Sequence, residues 1–415
     1  MSSTTFSLAG KGLKLDTKED LETHIQPLVD SGDVTHIDLS GNTFGVPACE
    51  ALAPILKSKS KLEFADLHDI FTSRLLEEIP LALSSLLTAL LECQNLHTID
   101  LSDNAFGLKT KDPLVDFLSK HTPLKHLILN NNGMGPIAGT SIADALTTLA
   151  EKKAAARKEG KNVPDLESIV CGRNRLENGS MVAWAKAYEA HKSGMKSVKM
   201  TQNGIRPEGI TLLITAGLSK CTNLEVFDLQ DNTFTFKGAS ALSKAVNGWG
   251  KLQELGVGDD MLGGRGSIKV FEALGQGSNE AIEILRLQYN EITPAGLKIL
   301  LQTARELPAL RRVELNGNKF EEEDPSVEAL SELLSQRKDE HGKDSDADDH
   351  WGLDELDELE GEDSDEEEEE IEEEVEEDTR EKLLKDTDEA ENEPVSQKKD
   401  ADVDALAKTL EKTGI

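Results

Sequence analysis

Apolar residues return along this chain in a fixed phrase: apolar, two residues, apolar, one residue, apolar, two residues, asparagine, one residue, apolar. Clear copies are VTHIDLSGNTF from Val34, LHTIDLSDNAF from Leu96, LKHLILNNNGM from Leu124, LESIVCGRNRL from Leu166 and MKSVKMTQNGI from Met195. Others are LEVFDLQDNTF from Leu224, LQELGVGDDML from Leu252, IEILRLQYNEI from Ile282 and LRRVELNGNKF from Leu310. LEFADLHDIFT from Leu62 is a degenerate copy, and FSLAGKGLKL near the start reads as a capping half-repeat. The alternating apolar core of each phrase suits a short strand with one buried face. Between phrases, apolar positions recur at three- and four-residue spacing, as in Ile142, Ala145, Leu146 and Leu149 or Leu297, Leu300, Leu301 and Ala304, which predicts helices. Thr293 before Pro294 predicts an N-cap followed by proline in the first turn.

The asparagine slot falls at Asn42, Ile70, Asn104, Asn132, Asn174, Asn203, Asn232, Asp260, Asn290 and Asn318, at intervals of 28, 34, 28, 42, 29, 29, 28, 30 and 28 residues. That period, with a strand and a full helix in each unit, is a leucine-rich repeat. The expected fold is an α/β solenoid, a crescent like that of ribonuclease inhibitor with a concave parallel sheet and convex helices. The slot amides are expected to satisfy backbone groups where the chain turns, forming a ladder. Two intervals break the period. The 34-residue one has room for an additional helical turn, and the 42-residue one contains EKKAAARKEGKNVPD. In that segment Lys152, Lys153, Arg157, Lys158 and Lys161 read as a solvated helix end, with contact to an acidic partner as the alternative. The repeat domain is assigned to residues 1–337, its last helical stretch, Val327 to Gln336, closing the core. Residues 338–415 are assigned to an acidic, largely disordered tail, because so few apolar residues cannot offset the entropy of folding.

Charge sharpens this division. The chain carries a net charge of −34, and from His341 onward 33 acidic residues face 8 basic ones, leaving about −9 for everything before. Such a surplus disfavours nucleic-acid phosphates and favours basic protein partners. The four cysteines, Cys49, Cys93, Cys171 and Cys221, lie far apart, which suits a reducing compartment and no zinc motif. No apolar stretch is long enough to span a bilayer, and the start lacks a signal-peptide core, so a soluble intracellular protein is expected. HExxH, GxSxG and P-loop motifs are absent, and His36, His97 and His126 fall in or beside strand phrases as structural histidines. No metal-ligating set is expected.

The residue before each slot should be exposed in the turn after the strand: Gly41, Asp103, Asn131, Arg173, Gln202, Asp231, Asp259, Tyr289 and Gly317. Turn propensity and solubility account for any one of them; as a row they make a partner-binding edge. At these places the chain resembles the Ran GTPase-activating protein family, its fungal members above all. The resemblance rests on DIFTSR at Asp69, LHTIDLSDNAFG at Leu96, DFLSKHTPLKHLILNNNG at Asp116, CGRNRLENGSM at Cys171, QNGIRPEG at Gln202, DLQDNTFT at Asp228 and LRLQYNEI at Leu285. It implies an activator with no hydrolytic centre of its own, acting on Ran in its GTP form without an arginine finger and helping to hold Ran's catalytic glutamine. The resemblance places Asn131 near the nucleotide and makes Arg74 functionally important through Ran contact or rim organisation. Arg173, Asn130, Asp103 and Asp231 are the expected partner-binding residues.

No cofactor is expected, since GTP and magnesium belong to Ran. Ran is the expected partner, a Ran-binding protein a further candidate, and a capped solenoid is expected to be a monomer. The resemblance implies a role in nucleocytoplasmic transport and a cytoplasmic location, with the nuclear envelope as an alternative position. The competing reading is a non-catalytic leucine-rich-repeat scaffold of the inhibitor or histone-binding type.

Overall fold

The computed structural model describes residues 4–341 and 351–360. Twelve short strands form one parallel sheet in strict chain order: Thr5–Ser7, His36–Asp38, Phe64–Asp66, Thr98–Asp100, His126–Ile128, Ser168–Val170, Ser197–Lys199, Val226–Asp228, Glu254–Gly256, Ile284–Arg286, Arg312–Glu314 and Gly352–Leu353. From Ile37 to Val313 the middle residue of every strand is inaccessible to solvent, and the registers align these residues into one apolar spine. Helices pack side by side across the back of the sheet, each against those of neighbouring repeats. Strands stack about 4.8 Å apart whereas helices need about 8–10 Å, so each repeat is a wedge with the sheet on its narrow side. The fold is the α/β leucine-rich-repeat solenoid that the periodicity predicts.

The slot ladder is continuous from Asn104 to Asn318. Each slot Oδ1 accepts the N–H of the preceding slot residue, as in Asn104 N to Asn132 Oδ1 at 3.0 Å and Asn132 N to Asn174 Oδ1 at 3.0 Å. The Asn132 Nδ2 donates to the carbonyls of Leu101, Leu129 and Asn130. These buried turns therefore keep their backbone partners, which is why the slot tolerates so little variation. At Thr293 the hydroxyl accepts from Gly296 N, the N-cap read from the sequence.

Three expectations need correction. The 34-residue interval does not add a helical turn: the helix that follows, Ile79–Leu90, has 12 residues, and the additional length is a loop at 71–78. The basic insertion is not a solvated helix end throughout. The helix Gly135–Lys158 carries Lys153 into the core, where its ammonium donates to the carbonyls of Thr122, Leu124 and Pro164 at 2.6–2.9 Å. Burial pushes the Lys153 ammonium down to about 7, and Arg157 folds the insert back by donating to Val163 O and Asp165.

The repeat domain also extends past the boundary expected at 337/338. The last helix runs Pro325–His341, and residues 351–360, assigned to the disordered tail, continue the sheet. Asp354 takes the place of the next strand's carbonyls, its carboxylate accepting from Leu315 N at 2.6 Å and Asn316 N at 3.0 Å. Leu353, Leu356 and Leu359 pack on the core, and Glu360 N donates to Asn318 O. An acidic sequence hides a cap because only every third or so residue is apolar. The remainder of the tail, including VDALAKTLEKT, lies outside the described residues. Among the described residues no helix is long and apolar enough to cross a membrane.

Candidate functional site

The ladder dictates the geometry of the rim. The residue before each slot turns into the left-handed region, with φ of 60° at Asp103, 52° at Asn131, 55° at Arg173, 53° at Gln202, 57° at Asp231 and 54° at Tyr289. Glycine, asparagine and aspartate adopt this conformation readily; arginine, glutamine and tyrosine pay on the order of 1 kcal/mol for it. Turn propensity thus accounts for Asp103 and Asn131 but not for Arg173, Gln202 and Tyr289, whose long side chains hold a costly position. That is where a contact role gains weight.

Asn131 is exposed on this rim, and its Nδ2 donates to Asp103 Oδ1 of the preceding repeat at 2.7 Å. The bond orients the amide through one of its donors and does not use its carbonyl oxygen, which remains an acceptor. Asn130 is different. Its Oδ1 accepts Gly172 N at 2.7 Å and its own N–H is taken by Ser102 Oγ, so it ties three repeats together beneath the rim. Gly172 has to be glycine for this: a Cβ there would lie 2.7 Å from Thr201 Oγ1 and 3.2 Å from Asn130 Oδ1.

Arg74, at the loop after Phe64–Asp66, is committed on every guanidinium nitrogen. Nε donates to Thr43 Oγ1 at 2.8 Å, Nη2 to Thr43 O at 3.0 Å and Nη1 to Asp16 Oδ1 at 2.5 Å, with the side chain only 9% exposed. The guanidinium in turn holds the Asp16 carboxyl below its ordinary range. Thr43 also donates to Thr72 O, so the arginine locks the insertion loop to the N-terminal cap. An extended finger would have to break three charge-assisted bonds.

Further along, Arg173 and Asp231 share one field. Burial and the neighbouring Asp259 push the Asp231 carboxyl up, while Arg173 and a Gln202 hydrogen bond pull it down. The rim therefore holds two clusters, Asp103 with Asn131, and Arg173 with Gln202, Asp231 and Asp259. Gln202 and Asp259 were legible only as members of the row.

The sequence reading missed Asp66, His68 and Asp100, whose ligand atoms lie within 4.8 Å of one another and could hold a metal ion. His68 Nδ1 is already 2.8 Å from Asp66 Oδ1, a pairing that raises the imidazole pKa against the opposing effect of burial. The signal was the D-x-H spacing at 66–68. The buried histidines His121 and His191 are held neutral, near 4, by burial, each with Nε2 against a carbonyl oxygen.

A sheet of slot-laddered strands with an exposed polar turn row defines a leucine-rich-repeat protein, and the family model described as Leucine Rich repeat matches residues 220–243. Saccharomyces cerevisiae Ran GTPase-activating protein 1 is 41% identical over 333 residues, covering 78% of this chain and 81% of that one. The Drosophila melanogaster Ran GTPase-activating protein is 31% identical over 79% of this chain and 54% of its own length. Caenorhabditis elegans Ran GTPase-activating protein 2 is 40% identical over 49% of this chain and 21% of its length. This chain belongs to the Ran GTPase-activating protein family.

Proposed function

We infer that this chain accelerates GTP hydrolysis by Ran, binding Ran in its GTP form and contributing an oriented amide rather than a nucleophile. Hydrolysis of a phosphoanhydride needs a water placed in line with the γ-phosphorus and stabilisation of charge on its oxygens. Ran supplies the nucleotide, the magnesium and the catalytic glutamine; this chain needs no cofactor of its own. Asn131, its Nδ2 held by Asp103, offers a fixed acceptor that restrains the glutamine amide, so that less orientational entropy is lost in the transition state. Arg74 acts as a positioning residue through the loop it locks, and Arg173, Asp103 and Asp231 make polar contacts along the partner. Asn130 supports them from below.

The observation that carries this reading is the Asp103–Asn131 bond on an exposed rim in a chain 41% identical to a Ran GTPase activator. The role follows in nucleocytoplasmic transport, where a cytoplasmic activator empties Ran of GTP; a Ran-binding protein fits as an accessory partner. The capped ends of the solenoid favour a monomer. A catalytic trace of the purified chain added to GTP-loaded Ran should raise phosphate release by roughly 10³-fold or more. An unchanged intrinsic rate refutes the reading.

A further inference from the structure

Four large apolar side chains stand exposed beside the polar row: Leu75 at 66%, Leu76 at 53%, Leu108 at 48% and Ile137 at 64%. One exposed leucine is ordinary. These four, however, share a place in the repeat, four to six residues past the slots at Ile70, Asn104 and Asn132. Their strands are sheet neighbours, and Lys109 Nζ reaches Glu77 Oε1 at 3.3 Å between the first two loops. Arg74, Asp103 and Asn131 lie in the same three repeats, in the loop or turn beside these residues, with Ile137 itself in the first turn of the helix Gly135–Lys158.

Beyond them the pattern stops. The matching positions hold Asn178 and Gly179, then Pro207 and Glu208, then Gly264 and Arg265. Phe236, which falls at one of these places, is roofed by the Arg265 guanidinium at 5.0 Å and Lys269 Nζ at 4.8 Å from its ring centroid. Other large apolar side chains are exposed elsewhere, Leu81, Val182 and Met261 among them. Among the described residues, however, those four to six places past a slot are exposed only in the three consecutive repeats that end with that of Asn131. Turn chemistry favours polar residues there, so solvation does not supply the reason.

We propose that Leu75, Leu76, Leu108 and Ile137 form an apolar ridge that docks on an apolar patch of GTP-bound Ran bordering the contact made through Asn131. This rests on the function inferred above. The occupant follows from continuity: a partner that brings its nucleotide site to Asn131 reaches Ile137, six residues on, and the neighbouring loops that carry the leucines. An apolar centre flanked by polar contacts is also the ordinary anatomy of a specific interface. The ridge touches no reacting atom, so its binding energy is equal in ground and transition states; it lowers KM and leaves kcat unchanged.

The test is GTP hydrolysis measured against Ran concentration for the quadruple variant Leu75→Ser, Leu76→Ser, Leu108→Ser, Ile137→Ser and for Ile137→Ser alone, with folding checked by circular dichroism melts. KM should rise by at least about tenfold in the quadruple variant and severalfold in the single one, with kcat within about twofold. Ile137→Leu should restore KM, and Val182→Ser, removing an apolar side chain 69% exposed on the helix Glu177–Ala190, should change nothing. If the quadruple variant misfolds, Ile137→Ser decides. An unchanged KM in a folded variant of an active chain overturns the ridge, as does a wild-type dimer that the substitutions dissociate without affecting Ran. An inactive wild type overturns the functional reading, and the ridge with it.

Discussion

Asp260 occupies a slot that is otherwise an asparagine throughout the continuous ladder from Asn104 to Asn318, and its chemistry is wrong for the place. Its Oδ1 accepts Asn232 N at 2.9 Å as an asparagine would, but its buried Oδ2 has no partner. At the neighbouring slot, Asn290 Nδ2 donates to the carbonyls of Val257, Leu287 and Gln288. By the repeat's register Oδ2 faces the equivalent carbonyls, where an ionised carboxylate is repelled and a protonated one donates. Burial, with Asp228, Asp259 and Asp231 nearby, raises the Asp260 carboxyl well above its ordinary value. A carboxyl whose folded pKa is raised gives its full stability below the unfolded value near 3.8, and loses it as pH climbs through the folded value. Asp260→Asn should therefore stabilise the chain by about 1–2 kcal/mol at pH 8, with a smaller gain at pH 5, in denaturant melts. A gain that does not grow with pH contradicts a protonated Asp260. The sequence shows the aspartate in the slot; only the orphaned oxygen reveals its cost.

Elements were most legible where the repeat kept its period. Strand positions, the helices behind them and the N-cap at Thr293 follow from spacing, because each strand must bury its middle residue and each turn must satisfy its carbonyls. Legibility failed where length was inserted or charge was dense. Lys153 reads as solvated, yet three carbonyls from the insert and the adjoining repeat make it a core clamp. The strand Gly352–Leu353 and the turns to Glu360 read as tail, yet Asp354 caps the N–H groups of Leu315 and Asn316 and three leucines pack against the core. A chain ending at residue 362 should melt like the full-length protein. One ending at 350 should lose about 2–4 kcal/mol from uncovered apolar surface and associate through the opened edge, seen by thermal melts and sedimentation. Equal stability for the two truncations contradicts a capping role for 351–360.

At the scale of the whole molecule, sequence and structure divide the work. The period carries the fold, the row before the slots carries the rim, and the family resemblance picks Asn131 and Arg74 out of that row and its neighbouring loop. What periodicity cannot tell is orientation: that the Asn131 amide is held by Asp103, that Arg74 points back to Asp16 and Thr43, and that Asn130 lies beneath the rim. Those bonds depend on contacts between repeats 28 to 58 residues apart in the chain. Under the proposed function, a rigid repeat scaffold stimulates the hydrolysis performed by Ran through one oriented amide. The decisive measurement is steady-state GTP hydrolysis by Ran with Asn131→Ala. An orienting role for Asn131 requires kcat to fall by about 100-fold or more, with KM within about threefold and an unchanged melting temperature; a variant that keeps its kcat, or loses activity through KM alone, rules that role out.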